Sequence, residues 1–151
     1  MPRNFEPVAS VDSAWLAMEQ PTNLMMMSGI ITFRNPVDVA HLREILEKRW
    51  LVHRRFRQRV VHPRIPFAPP EWTPAFWEPD PVFSLDNHLH EVTLPDPGGY
   101  SELQQVIDNL MSTQLDFNHP LWSMHLVQNY QGGSALVLRV HHVIADGISM
   151  V

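Results

Sequence analysis

Two apolar runs, 122–130 and 135–142, are separated only by Gln131-Gly132-Gly133-Ser134. A glycine-bearing connection this short joins antiparallel neighbours, so the pair reads as a β-hairpin. The second run ends in His141-His142-Val143-Ile144-Ala145-Asp146-Gly147. The strand that most constrains the fold thus delivers the chain's densest group of reactive side chains.

The rest of the chain mixes helical and strand signals. Residues 12–19 read as a short helix with Ser10 as its N-cap and Trp15, Leu16 and Met18 inside. Residues 24–33 are apolar and read as a strand covered on both faces. Asp38 can cap a helix over 39–51, where Leu42, Ile45, Leu46 and Arg49 recur at helical spacing. Over 56–61, Phe56, Gln58 and Val60 alternate with Arg57, Arg59 and Val61, the pattern of a half-buried strand. Seven prolines then fall within residues 63–81, interleaved with Phe67, Trp72, Phe76 and Trp77. Proline lacks the donor that a central strand needs, so at most an edge strand over 72–77 is expected. The aromatics of this stretch would pack it onto the domain or form a lid over a substrate. Residues 87–94 read as a strand. Residues 101–115 form the clearest helix, with Leu103, Val106, Ile107, Leu110 and Met111 on one stripe. The order αβαβ(β)βαββ indicates an α/β (α+β) fold, a mixed sheet flanked by helices and not a doubly wound parallel one.

At 151 residues the chain is long enough for one domain, taken as 1–151. A net charge of -5 argues against nucleic-acid binding, and the absence of cysteine excludes disulfides and thiolate metal sites. Neither a signal peptide nor an apolar run of membrane-spanning length is visible. A cytoplasmic location is therefore expected, with contact to the inner face of the plasma membrane at most peripheral. Lys48, Arg49, Arg54, Arg55, Arg57, Arg59 and Arg64 crowd into one stretch of an otherwise acidic chain. The crowding suits a solvated helix end, or a patch for phosphates or lipid headgroups.

Histidine is the side chain whose neutral form takes a proton near pH 7, so it is the default base for a hydroxyl or amine. Strand alternation puts His141 with Arg139 on one face and His142 with Val140 on the other. One histidine is then a candidate base, and the other packs or hydrogen-bonds. Asp146 could orient an imidazole or anchor the loop through an arginine, and Gly147 permits close approach of a substrate. Adjacent strand histidines diverge and chelate poorly, so no metal is expected. His88 and His90 have the i, i+2 spacing of some metal sites but no evident third ligand. Nothing supports Ser149 as a nucleophile.

Four stretches taken together resemble the bacterial wax ester synthase/diacylglycerol acyltransferase family. They are the Pro7 to Leu16 segment leading into the first helix, Arg55 to Val61, Pro120-Leu121-Trp122 with the strand that follows, and the HHxxxDG pattern of His141 to Gly147. The resemblance implies a chloramphenicol-acetyltransferase-like fold of two halves with the active site between them, this chain being the amino-terminal half and the carboxyl-terminal domain absent. It implies acyl transfer from acyl-CoA, as substrate and not cofactor, to a long-chain alcohol or diacylglycerol. In that scheme His142 is the base, His141, Asp146 and Gly147 support it, and Leu121 and Trp122 border the acyl region or pack beneath it. Membrane or lipid-droplet surfaces are the implied surroundings. The isolated chain is expected to be inactive. Two other readings remain: a non-catalytic lipid- or partner-binding module, and a condensation domain of a peptide synthetase.

Overall fold

The computed structural model describes residues 5–69 and 73–145. Its elements are β1 (Glu6–Pro7), α1 (Ser10–Met18), β2 (Met26–Phe33), α2 (Val39–Ile45), β3 (Gln58–Val61), β4 (Phe76–Pro79), β5 (Leu89–Thr93), α3 (Tyr100–Met111), β6 (Trp122–Tyr130), β7 (Gly133–His141) and α4 (His142–Ala145). They build a four-stranded sheet of order β2-β7-β6-β5 and a three-stranded sheet of order β1-β4-β3. In the larger sheet β5 and β6 are parallel, joined through α3, while the other neighbours are antiparallel. The mixed sheet with flanking helices is the architecture expected from the sequence.

The hairpin forms as the spacing requires. Gln131 and Gly132 make a two-residue turn with φ of 50° and 81°, the paired positive angles of a tight hairpin. A side chain on Gly133 would collide with the carbonyl oxygen of Phe33 on the adjoining strand, so glycine is needed there. Alternation then sorts the two faces. Trp122, Met124, Leu126, Leu136 and Val140 meet Leu42, Leu46, Phe56, Val60 and Trp77. On the opposite face Val127, Ala135 and Val137 meet Leu103, Val106, Ile107 and Leu110 of α3. Four of the five residues in the expected helical stripe pack there. The fifth, Met111, instead accepts a hydrogen bond at Sδ from Ser28 Oγ on β2.

Several expectations need correction. β2 is apolar but not covered on both faces: it is the sheet's edge, and Ile31 is 57% exposed. Met27, Ile30 and Phe33 are also exposed. The strand from the proline-rich stretch is β4, and it lies centrally between β1 and β3, not at an edge. Its single proline, Pro79, falls at the last rung opposite Gln58, where a missing donor breaks no continuous ladder. Trp72 lies outside the described residues. Trp77 is buried beneath the Arg55 guanidinium, 4.2 Å from its ring centre, whereas Phe67 is fully exposed. Helix α1 begins at Ser10 with Ala9 as its cap residue, so Ser10 is inside the helix and does not cap it. Asp38 does cap α2, accepting from Ala40 N–H at 3.0 Å. That helix loosens into a π-turn over Leu46–Trp50 and does not continue as one regular helix.

Trp122 joins the two layers. Its Nε1 donates to the Phe56 carbonyl at 2.9 Å, and its ring stacks on His88 at 4.5 Å. Replacing Trp122 with Ala should cost about 3–5 kcal/mol of stability in urea denaturation, from the cavity and the lost stacking. A loss under about 1 kcal/mol would mean that the layers do not depend on this side chain.

Candidate active site

The HHxxxDG segment begins where β7 ends. His141 closes the strand, and His142 opens the short helix α4. Alternation is borne out for His141, which shares the α3 side with Arg139. His142 escapes alternation because the chain turns helical at that residue. Val143 and Ile144 are fully buried in the main core and anchor the turn. Asp146, Gly147 and Ser149 lie outside the described residues.

His141 is 1% exposed. Its backbone N–H donates to the Leu121 carbonyl at 3.0 Å. Its Nδ1 accepts from Val143 N–H at 3.0 Å, so the ring proton resides on Nε2, which lies 3.4 Å from Oε2 of Glu19. The edge of Phe117 closes on the ring at 5.7 Å. Burial holds the His141 pKa below the ordinary value; the Glu19 carboxylate opposes this and the neighbouring His142 adds to it. His142 stands in contrast. Its ring is half-buried and stacked on Trp15 of α1 at 4.5 Å and 18°. No hydrogen bond reaches its ring nitrogens among the described residues. One imidazole is thus tied down at Nδ1, while its neighbour is held flat with no hydrogen bond to its ring nitrogens from the described residues.

Leu121 and Trp122 are each 1% exposed. Both pack in the main core. The Arg-rich stretch is largely committed to the fold. Arg54 and Arg55 both reach Glu6, at 2.9 and 3.0 Å, and Arg59 pairs with Glu78 at 2.6 Å. No ion pair holds Arg49, Arg57 or Arg64 among the described residues.

His88 and His90 do not converge. His88 lies in a turn, its Nδ1 donating to the Trp122 carbonyl at 2.8 Å, while His90 stacks on His125 across the β5–β6 pair at 4.8 Å. Among the described residues no three or more His, Cys, Asp or Glu side chains are arranged to hold a metal. Sequence reading missed Trp15, Glu19 and Met25 as partners of the histidines. The available signal was the four-residue spacing of Trp15 and Glu19, which puts both on one side of a helical segment.

Burial lowers His88, His125 and His141 alike, and takes His125 to about 4, with the nearby His90 and Arg139 charges adding to the effect. The folded value of His125 lies below the unfolded value, so between pH 6.5 and 4 the unfolded chain binds more protons. Stability should therefore fall as pH drops through this window, by up to roughly 3 kcal/mol from His125 alone. Chemical denaturation at pH 7 and pH 5, with and without His125→Gln, checks this. A variant that loses as much stability on acidification as the parent would refute the assignment to His125.

The fold is that of the chloramphenicol-acetyltransferase-like acyltransferases. The wax ester synthase/diacylglycerol acyltransferase from Marinobacter aquaeolei VT8 superposes with a TM-score of 0.73 at 23% identity, over 95% of this chain and 36% of that one. The starter condensation domain of rhizomide synthetase follows at 0.71 and 12% identity, over 93% of this chain and 34% of that one. A mutant of that domain has been solved in complex with C8-CoA, with a TM-score of 0.68 to this chain. Within this class, residues 8–151 match the wax ester synthase/diacylglycerol acyltransferase catalytic domain, and the chain belongs to that family. The O-acyltransferase WSD of Acinetobacter baylyi is 26% identical over 148 residues, which are 96% of this chain and 31% of the relative. A putative diacylglycerol O-acyltransferase of Mycobacterium tuberculosis is 35% identical over 98 residues, 64% of this chain and 19% of the relative. The chain thus spans less than a third of the length of these curated relatives.

Proposed function

We infer that this chain supplies the base-bearing half of an acyl-CoA-dependent O-acyltransferase that makes wax ester or triacylglycerol from a long-chain alcohol or diacylglycerol. The observation that carries the reading is the division of labour in the histidine pair: His141 is buried, with Nδ1 bonded to the Val143 N–H and Nε2 facing Glu19 at 3.4 Å, while His142 is clamped against Trp15 with no hydrogen bond to its ring nitrogens among the described residues. In this scheme a neutral His142 takes the proton of the acceptor hydroxyl as its oxygen attacks the thioester carbonyl. The new C–O bond forms, the C–S bond breaks, and the departing CoA thiolate recovers the proton from the imidazolium. His141 acts through the loop it holds. Asp146 and Gly147 keep the supporting roles that the HHxxxDG pattern implies.

The remaining portion of the acyl tunnel is assigned to a second half of the fold. Two findings support this: the chain's short span of its relatives and the exposed apolar edge strand β2, whose Met27, Ile31 and Phe33 form a surface suited to being covered. Likeness to condensation domains at 12% identity reaches the fold only, so the amide-forming reading gains nothing specific from it.

Joining residues 1–151 to the carboxyl-terminal two-thirds of the Acinetobacter protein provides the test. The chimera should convert acyl-CoA and a long-chain alcohol to ester. His142→Ala should lower turnover by about a hundredfold or more while acyl-CoA binding persists. The 151-residue chain alone should give no turnover. Undiminished turnover in the His142→Ala chimera would refute the base assignment and favour a packing role in a lipid- or partner-binding module. Efficient catalysis by the isolated chain would refute the two-half reading.

No helix among the described residues is long and apolar enough to cross a membrane. Contact with a lipid surface is assigned to Arg49, Arg57 and Arg64, which no ion pair holds among the described residues, whereas Arg54 and Arg55 share Glu6 and Arg59 pairs with Glu78. Changing these three to Ser should reduce co-sedimentation with anionic vesicles by about tenfold or more at low salt, since each basic residue adds about 1 kcal/mol near such a surface. Unaltered co-sedimentation would exclude them.

A further inference from the structure

Three separate segments converge on the carboxylate of Glu19. The residue follows α1 directly, and its side chain is 6% exposed. Oε1 accepts from Gln114 Nε2 at 3.2 Å, in the segment after α3. Oε2 accepts from the backbone N–H of Met25 and faces His141 Nε2 at 3.4 Å. A carboxylate taken out of water is strongly destabilising unless such donors replace the lost hydration.

The acyl-transfer scheme gives Glu19 no part, yet Glu19 reaches both histidines by different routes. For His141 the route is the side chain. Nδ1 is occupied by the Val143 N–H, so the neutral form carries its single ring proton on Nε2, which faces the Glu19 carboxylate at 3.4 Å as an electrostatic contact and not a formed hydrogen bond. For His142 the route is the backbone. Met25 donates its N–H to Glu19, and the carbonyl of the same residue, in the next peptide group, accepts the His142 N–H at 2.9 Å. Four residues before Glu19, on the same side of the helical segment, Trp15 carries the His142 ring. One end of α1 therefore grips two adjacent histidines, the first through a charge and the second through a ring face and the backbone of Met25.

We propose that Glu19 is a positioning residue for acyl transfer, its carboxylate facing the Nε2 side of His141 and, through residue Met25, setting the placement of His142. The proposal rests on the reading of His142 as base. Its physical core is a coupling between Glu19 and His141 that can be read without turnover.

The groups around His141 define what should change. Glu19 reaches it from the end of α1, and His142 adjoins it. The uncharged edge of Phe117 faces it from the loop after α3. Arg139 shares its strand face but donates to the Thr113 carbonyl and the Met26 sulfur. Glu19 supplies the negative charge that raises the His141 pKa against burial. Glu19→Gln keeps an acceptor of the same size and removes that charge, so His141 should titrate at a lower pH than in the parent. Glu19→Ala also removes the acceptor, so the Nε2 proton should exchange quickly and the Val143 and His142 amide resonances should move.

Imidazole ¹⁵N and amide NMR spectra of the intact 151-residue chain, across a pH series, read these effects. The parent should show His141 with Nδ1 unprotonated and a slowly exchanging Nε2 proton. In the Acinetobacter chimera, Glu19→Ala should lower kcat by about a hundredfold with KM for acyl-CoA within about twofold, and Glu19→Gln should recover part of the loss. An unchanged His141 titration in Glu19→Gln, with unmoved Val143 and His142 amides in Glu19→Ala, would overturn the proposal even if His142→Ala abolished turnover. Conversely, a shifted His141 titration beside a fully active His142→Ala chimera would overturn the acyl-transfer reading and leave the Glu19–His141 coupling demonstrated as structural.

Discussion

Strand β7 is the constraint on which the rest of the molecule depends. It is paired antiparallel with β2 on one side and β6 on the other, over eight residues in each case. Its two side-chain faces feed the two hydrophobic clusters. A slip of one residue would exchange those faces and drive Arg139 and His141 into the main core. The register is therefore fixed from four directions, and the position of His141 is fixed with it. The same pairing sets Trp122 opposite Val140 and lets the Leu121 carbonyl take the His141 N–H. The Pro-Leu-Trp segment and the HHxxxDG segment are thus adjacent because one ladder joins them.

Around that strand, polar groups are organised by shielding. Arg59 and Glu78, Arg55 and Glu6, and His119 and Asp80 form close pairs that are partly or wholly withdrawn from solvent. His88, His125 and His141 are withdrawn as well, and each is held toward its neutral form by desolvation. Glu19 provides a negative charge where the two motif histidines adjoin.

Legibility from the sequence followed how local each determinant is. The hairpin, helix α3 and the alternation along Gln58–Val61 were readable because turn chemistry and side-chain period act over a few residues, whereas Phe56 and Arg57, read as the start of that strand, belong to a 3-10 turn over Arg54–Arg57. The parity of His141 and Arg139 was readable for the same reason. The apolar run at β2 gave the strand but not its surroundings, since composition does not distinguish a covered strand from an edge whose apolar face is left open. The proline-rich stretch misled in the other direction. Counting prolines demoted it to an edge, whereas β4 has four residues with its proline at the end of the ladder, and that leaves room for partners on both sides.

What the sequence determined by itself is therefore the hairpin, the mixed α/β class and the chemical character of the segment that β7 delivers, together with the family resemblance its motifs carry. The roles visible within the histidine pair needed the tertiary structure. Residues more than a hundred positions earlier in the chain, Trp15, Glu19 and Met25, contact His141 and His142, and no local spacing encodes such contacts. Which imidazole is tied and which is free is decided by where the end of α1 lands against the end of β7, and only packing of the whole chain brings those ends together.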